Sequence, residues 1–251
     1  MEKILPAIII LLLAFLNSCT VSNEGIIEEP KYANNIFYTK HFAYSSMYNE
    51  NYEQEDWVAY ELLESELELN YKRTNKFLED TLVATGTANN LDYKHSGYDR
   101  GHLAPAADMT WNEQAIMESF YFSNISPQLP SFNRGIWKKL EGQIRNWAVK
   151  YDCLYIATGP ICINSEKTIG ENKVFIPTHF YKTVLVLNDT LKQSIGFIFP
   201  HEKCNGDIFD YAVTVDSVDS VEIITGEDFY FALPNRYEES IEKEYDLKYW
   251  R

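Results

Sequence analysis

The chain has 251 residues, of which 45% are hydrophobic and 15% aromatic, and its formal net charge is -15. This length supports one large domain or two small ones with a sizeable core, and the composition excludes a disordered or low-complexity protein. Taken alone, the acidic balance argues against a nucleic-acid partner, because the chain as a whole repels phosphates.

In chain order, Glu2 and Lys3 precede an apolar run from Ile4 to Leu16. It is short for a membrane span and fits the core of a signal peptide. The run ends in Leu16-Asn17-Ser18-Cys19, which resembles a bacterial lipoprotein signal. On that resemblance residues 1–18 are removed, Cys19 is lipidated, and acyl chains anchor the protein in the bacterial cell envelope, in the periplasm or at the surface. An ordinary secretory signal is the alternative. Residues 19–50 are polar, carry Gly25 and Pro30, and read as a tether. With no internal repeat or second linker, residues 51–251 read as a single domain.

Within that domain, Val58, Tyr60 and Leu62 alternate, which predicts a strand over 57–62. Residues 64–69 are ambiguous, and 112–119 read as a short helix. Over 132–150, Ile136, Trp137, Leu140, Ile144, Trp147 and Ala148 share one face at helical spacing, with Arg134, Lys138, Glu141 and Arg145 on a polar stripe beside it. Asn133 falls within the apolar sector, so it either caps this helix or binds something. Strands follow at 153–159, within 173–189 around Pro177, and at 194–200. Residues 216–226 read as a helix with Gly226 at its C-cap, and the acidic tail after Tyr237 holds another. Export permits a disulfide among Cys153, Cys162 and Cys204, and the sequence leaves the pairing open. No cysteine–histidine spacing suits zinc.

The stretch Tyr98-Asp99-Arg100-Gly101-His102 packs two bases and an acid ahead of apolar Leu103-Ala104-Pro105. A solvated turn explains the charges. A histidine held in place also serves as a general base, since its ordinary pKa lies near working pH. Gly101 suggests backbone that other residues would strain. Downstream come Ser123-Asn124-Ile125-Ser126-Pro127-Gln128, then Asn133 and Glu141. On one straight helix the last two are about 12 Å apart along the axis, so a single ion is ligated directly by one and reached by the other through water. One amide and several waters suit Mg²⁺.

Residues 98–148 closely resemble the DNA/RNA non-specific endonucleases, which include secreted bacterial nucleases and mitochondrial endonuclease G. The resemblance rests on DRGH, then SNxxPQ, then N-x-x-x-W-x-x-L-E, with weaker matches on both sides. It implies an α+β ββα-metal (His-Me finger) nuclease fold, with a central antiparallel sheet and flanking helices. It makes His102 the base that activates water and Asn133 the direct ligand of hydrated Mg²⁺, with Mn²⁺ as a substitute. Glu141 orients the metal-bound water, Arg73 steadies the transition state, and Arg145 contacts phosphate. Asn124 and Gln128 position the site, while Asp99 and Arg100 brace the loop. His95 stands where a small residue is expected and reads as a surface side chain.

The charge conflict is local. Between Asp99 and Lys150, Arg100, Arg134, Lys138, Lys139, Arg145 and Lys150 outnumber Asp99, Asp108, Glu113, Glu118 and Glu141. The expectation is an exported, lipid-anchored, Mg²⁺-dependent endonuclease cutting DNA and RNA without sequence preference. Two other readings stay open: a surface binding lipoprotein on an inactive nuclease fold, and a phosphodiesterase for smaller substrates. The sequence leaves a homodimer open as well.

Overall fold

The computed structural model describes residues 25–32, 37–213, 217–243 and 245–251. The signal segment and Cys19 lie outside the described residues. Among the described residues, no helix is long and apolar enough to cross a membrane.

The centre is a six-stranded antiparallel sheet in the order β1-β2-β3-β6-β9-β10. Its strands are β1 (Tyr38–Lys40), β2 (Ser45–Asn49), β3 (Gln54–Leu63), β6 (Cys153–Ile161), β9 (His179–Leu187) and β10 (Lys192–Pro200). The alternation read over 57–62 is the pleat of β3. Val58, Tyr60 and Leu62 enter one core, while Trp57 and Ala59 enter a second on the opposite face. Where β3, β6 and β9 meet, Gly159 leaves room for neighbours, since a Cβ there would sit 2.2 Å from the Asp56 carbonyl oxygen.

The first face carries the elements of the site. β4 (Asp99–His102) and β5 (Ile125–Gln128) form an antiparallel pair, with Gly101 opposite Ser126. A helical run follows. It comprises α3 (Pro130–Phe132), a wide π turn over Asn133–Trp137 and α4 (Lys138–Tyr151). Two strands and this helix make the ββα unit. Leu140, Ile144 and Trp147 of α4 bury the predicted apolar stripe against the sheet. The continuous helix expected over 132–150 is broken at Gly135, whose φ of -101° and ψ of -110° are non-helical. A π turn of this kind frequently marks a functional site. On the same face lie α1 (Asn90–Tyr93), α2 (Glu113–Glu118, capped by Asn112) and α7 (Leu247–Trp250).

The second face is covered by α5 (Ser217–Thr225) and α6 (Asn235–Lys243). Val218, Val221, Phe229 and Ile241 pack there on Ala157, Tyr181 and Leu185. Gly226 ends α5 with φ +79°, and its N–H donates to the Glu222 carbonyl at 2.7 Å. A two-stranded ribbon of β7 (Thr168–Ile169) and β8 (Val174–Phe175) completes the strands.

The tether expectation needs correcting. The tether assigned to 19–50 ends well before residue 50, because β1 and β2 form the sheet edge. Glu29 is buried and accepts hydrogen bonds from Tyr38 at 2.9 Å and Ser45 at 2.7 Å, which fixes this segment to the domain. The three cysteines among the described residues are free thiols. Cys153 precedes the far end of β6 by eight residues and Cys162 follows it, so extended chain holds them roughly 30 Å apart, far beyond disulfide reach.

Candidate active site

The β4–β5 pair needs Gly101 for space. A Cβ at this position would lie 2.2 Å from the Gln128 side chain, which is fully buried. The residue's φ is not positive, so the reason is close approach rather than the strained backbone read from the sequence. Asn124 then sets the exit from β4. Its oxygen accepts the Ala104 N–H at 2.8 Å, and its NH₂ donates to the carbonyls of Ala104 and Ser119, each at 2.9 Å. These bonds hold the chain just after His102.

His102 projects from the end of β4 and is 7% exposed. Its ring meets Phe120 edge-on at 4.9 Å and lies 5.6 Å from Phe77. Its Nε2 is buried and has no hydrogen-bond partner. Burial, reinforced by the positive charges of Arg73 and Arg100, lowers its pKa from 6.5 to about 3. The imidazole is therefore neutral near pH 7, the form that accepts a proton.

Asn133 begins the π turn, and its Nδ2 donates to Asp99 Oδ2 at 2.9 Å. A carboxylate only accepts, so Asp99 fixes which way the amide faces and leaves Oδ1 as its acceptor atom. Arg134 grips the same carboxylate with two hydrogen bonds, at 2.8 and 2.6 Å. Burial pushes the Asp99 carboxyl up, but the bonds from Arg134 and Asn133 and the nearby guanidinium charges outweigh it, leaving its pKa below the ordinary value.

These groups meet in a cleft of about 270 Å³ whose walls include Arg73, Arg100, His102, Asn133, Glu141 and Arg145. Arg134 and Lys138 complete its cationic rim. Burial is the main cause that raises Glu141 to about 7, with Asp108 adding to it and Lys182, Arg145 and Arg73 opposing it. Arg145 donates to Asp108 at 2.8 Å and still reaches the cleft. Arg73 lies over the Phe120 ring at 5.4 Å, and Arg100 over Phe77 at 4.1 Å.

The cleft thus gathers six of the residues singled out in the sequence. Asn124 and Gln128 do not line it; both are fully buried, Asn124 bonded to the Ala104 backbone just after β4 and Gln128 packed against Gly101. His95 is exposed in a left-handed turn at φ +62°. Two residues beside the cleft escaped the sequence reading of the site. Lys182 is fully buried on β9, 4.9 Å from the Trp137 ring, and its Nζ donates to the Leu103 carbonyl at 3.3 Å. Buried Asp108 receives both Arg145 and the Tyr60 hydroxyl, the latter at 3.1 Å. A lone lysine within the apolar run of β9 was a legible signal, because such residues are almost never fully buried without partners.

The donor set fits a hard divalent ion. It offers one amide oxygen oriented by Asp99 and one carboxylate, Glu141, with neither thiolate nor a histidine cluster. A sequence model of the DNA/RNA non-specific endonucleases matches residues 25–235. The chain belongs to this family. The match begins within the region first read as tether and runs past the cleft into α6. Among curated relatives of this nuclease family, human mitochondrial endonuclease G is 37% identical over 43% of this chain and 40% of its own length. Zebrafish (Danio rerio) mitochondrial nuclease EXOG is 34% identical over 67% of this chain and 53% of its own. The mitochondrial nuclease of Saccharomyces cerevisiae is 32% identical over 69% and 60%. The chain spans about half the length of these relatives. The solved complex of EndoG with EndoGI contains a chain that superposes with a TM-score of 0.74 at 27% identity, covering 82% of this chain and 90% of that one. The nuclease family is metal-dependent, and the ββα unit of this member carries the cleft.

Proposed function

We propose that the protein is an exported, Mg²⁺-dependent endonuclease that hydrolyses phosphodiester bonds of both DNA and RNA. The observation that carries this reading is the buried, unpartnered Nε2 of neutral His102 in one cleft with Asn133 and Glu141. In this reading His102 takes the proton from the attacking water. Asn133 Oδ1 is the direct ligand of Mg²⁺, and Glu141 orients bound water. The ion, when bound, neutralises charge developing on the phosphate and the leaving 3′ oxygen. Arg73 and Arg145 add positive charge on either side of the reacting phosphate. Contacts to the backbone alone carry no sequence information, which accounts for non-specific cutting. Export and lipidation rest on the N-terminal run and Cys19.

The test is digestion of plasmid DNA and of RNA by the purified chain, in Mg²⁺ and in EDTA, beside Asn133→Ala. Mg²⁺-dependent cleavage of both substrates, abolished by EDTA and reduced more than about 100-fold by Asn133→Ala, is the expected result. A cleanly folded wild type that cuts neither substrate would favour a binding protein on an inactive nuclease fold.

A further inference from the structure

The second face of the sheet carries a cluster that the nuclease reading does not use. Asp219 and Glu222 lie on α5, and Glu242 lies near the end of α6. One carboxylate oxygen from each residue falls within 4.8 Å of the others. Oxygens bound at about 2.4 Å around a single Ca²⁺ span no more than this distance.

A cluster of acids alone means little, but Glu242 supplies a separate observation. The residue is only 5% exposed, and its Oε1 is buried without a hydrogen-bond partner. A buried charged oxygen costs far more than an exposed one unless a cation or a proton meets it. Burial and the surrounding charges of Glu222, Glu238, Asp219 and Asp228 push its pKa up to about 10. Lys31, whose charge acts on nearby Glu238, pairs with Asp228 at 3.0 Å. From β10, Lys192 places its ammonium over the Tyr237 ring at 4.5 Å. Glu222 is oriented by the Phe229 N–H, which donates to its Oε1 at 2.7 Å.

We propose that Asp219, Glu222 and Glu242 hold a divalent cation of the Ca²⁺ class that joins α5 to α6, separate from the cleft on the other face. Three carboxylates from two helices, with water completing the shell, suit the irregular, oxygen-rich coordination of Ca²⁺ better than the strict octahedron of Mg²⁺. The ion would fasten α6, whose Ile241 carbonyl accepts from Ser194 at 2.7 Å, across the sheet. Its role is structural, so the readout is stability rather than cleavage.

The experiment uses the full chain carrying Asn133→Ala, which removes the active-site ion from the measurement. Thermal unfolding is followed at pH 7.5 in chelator and in CaCl₂, with calorimetric titration of Ca²⁺ into the same protein. A rise in Tm of roughly 3–5 °C is expected once Ca²⁺ exceeds its dissociation constant about tenfold. Glu242→Gln and, independently, Glu222→Gln should each remove that rise. In chelator Glu242→Gln should unfold no lower than its parent, because at pH 7.5 the amide replaces a buried carboxyl that already holds its proton. Absence of Ca²⁺ binding, or a rise that survives both substitutions, would overturn the proposal. So would a parent stabilised by acidification and unmoved by Ca²⁺, since a shared proton would then hold the carboxylates together.

Discussion

The cleft of the ββα unit and the acidic cluster between α5 and α6 lie on opposite faces of one sheet, and each buries an ionisable atom without a hydrogen-bond partner. Burial acts on both in the same way, by disfavouring charge, yet the chemical outcomes differ. At His102 it removes the proton, and Arg73 and Arg100 add to the effect, so the side chain stands ready to accept one. At Glu242 it retains the proton, and acidic neighbours add to the effect, so the side chain waits for a cation. Desolvation prepares a group; the sign of its neighbours decides what it then binds.

This contrast can be broken most forcefully through Asp99. If Asp99 matters by turning the Asn133 oxygen toward the ion, Asp99→Ala should raise the Mg²⁺ concentration needed for half-maximal cleavage by about 10–100-fold. An unchanged Mg²⁺ requirement would reduce Asp99 to a partner of Arg134.

Proton linkage sharpens the contrast next. For His102 the folded pKa lies below the ordinary value, so the unfolded chain binds more protons between about pH 3 and 6.5. Stability should fall with decreasing pH across that window, by up to about 1.4 kcal/mol per unit from this group. Urea unfolding in chelator should show a shallower pH slope for His102→Gln. For Glu242 the folded pKa lies above the ordinary value, so the folded chain binds more protons between pH 4.5 and about 10. Its contribution therefore strengthens as pH falls through that window, and Glu242→Gln should remove it. Slopes of the same sign for the two groups would refute the contrast.

The smallest effect concerns the cationic rim. Lys138→Ala should weaken DNA binding similarly for all sequences and lower the slope of log affinity against log salt by about one. A sequence-dependent loss would show that this side chain reads bases.

Much of the cleft was legible because its residues sit in short, dense motifs. His102, Asn133 and Glu141 were placed by DRGH and by the N-x-x-x-W-x-x-L-E spacing, and the stripe of α4 by its helical period. What escaped depends on contacts between distant segments. Asp99 reads as a turn former until Asn133, 34 residues later, donates to it. The need for Gly101 becomes visible only when Gln128 packs across the strand pair. Three-residue β1 is too short to show an alternation, so in the sequence this sheet edge reads as tether. The π turn at Gly135 leaves the apolar periodicity intact and so hides inside a good helix pattern.

The central claim is that neutral, buried His102 is the base of the cleft. Single-turnover cleavage of a defined DNA duplex by His102→Ala, at saturating Mg²⁺, tests it most directly. The account predicts a rate loss of about 10²–10⁴-fold with the half-saturating Mg²⁺ concentration unchanged. Cleavage at the wild-type rate would contradict it.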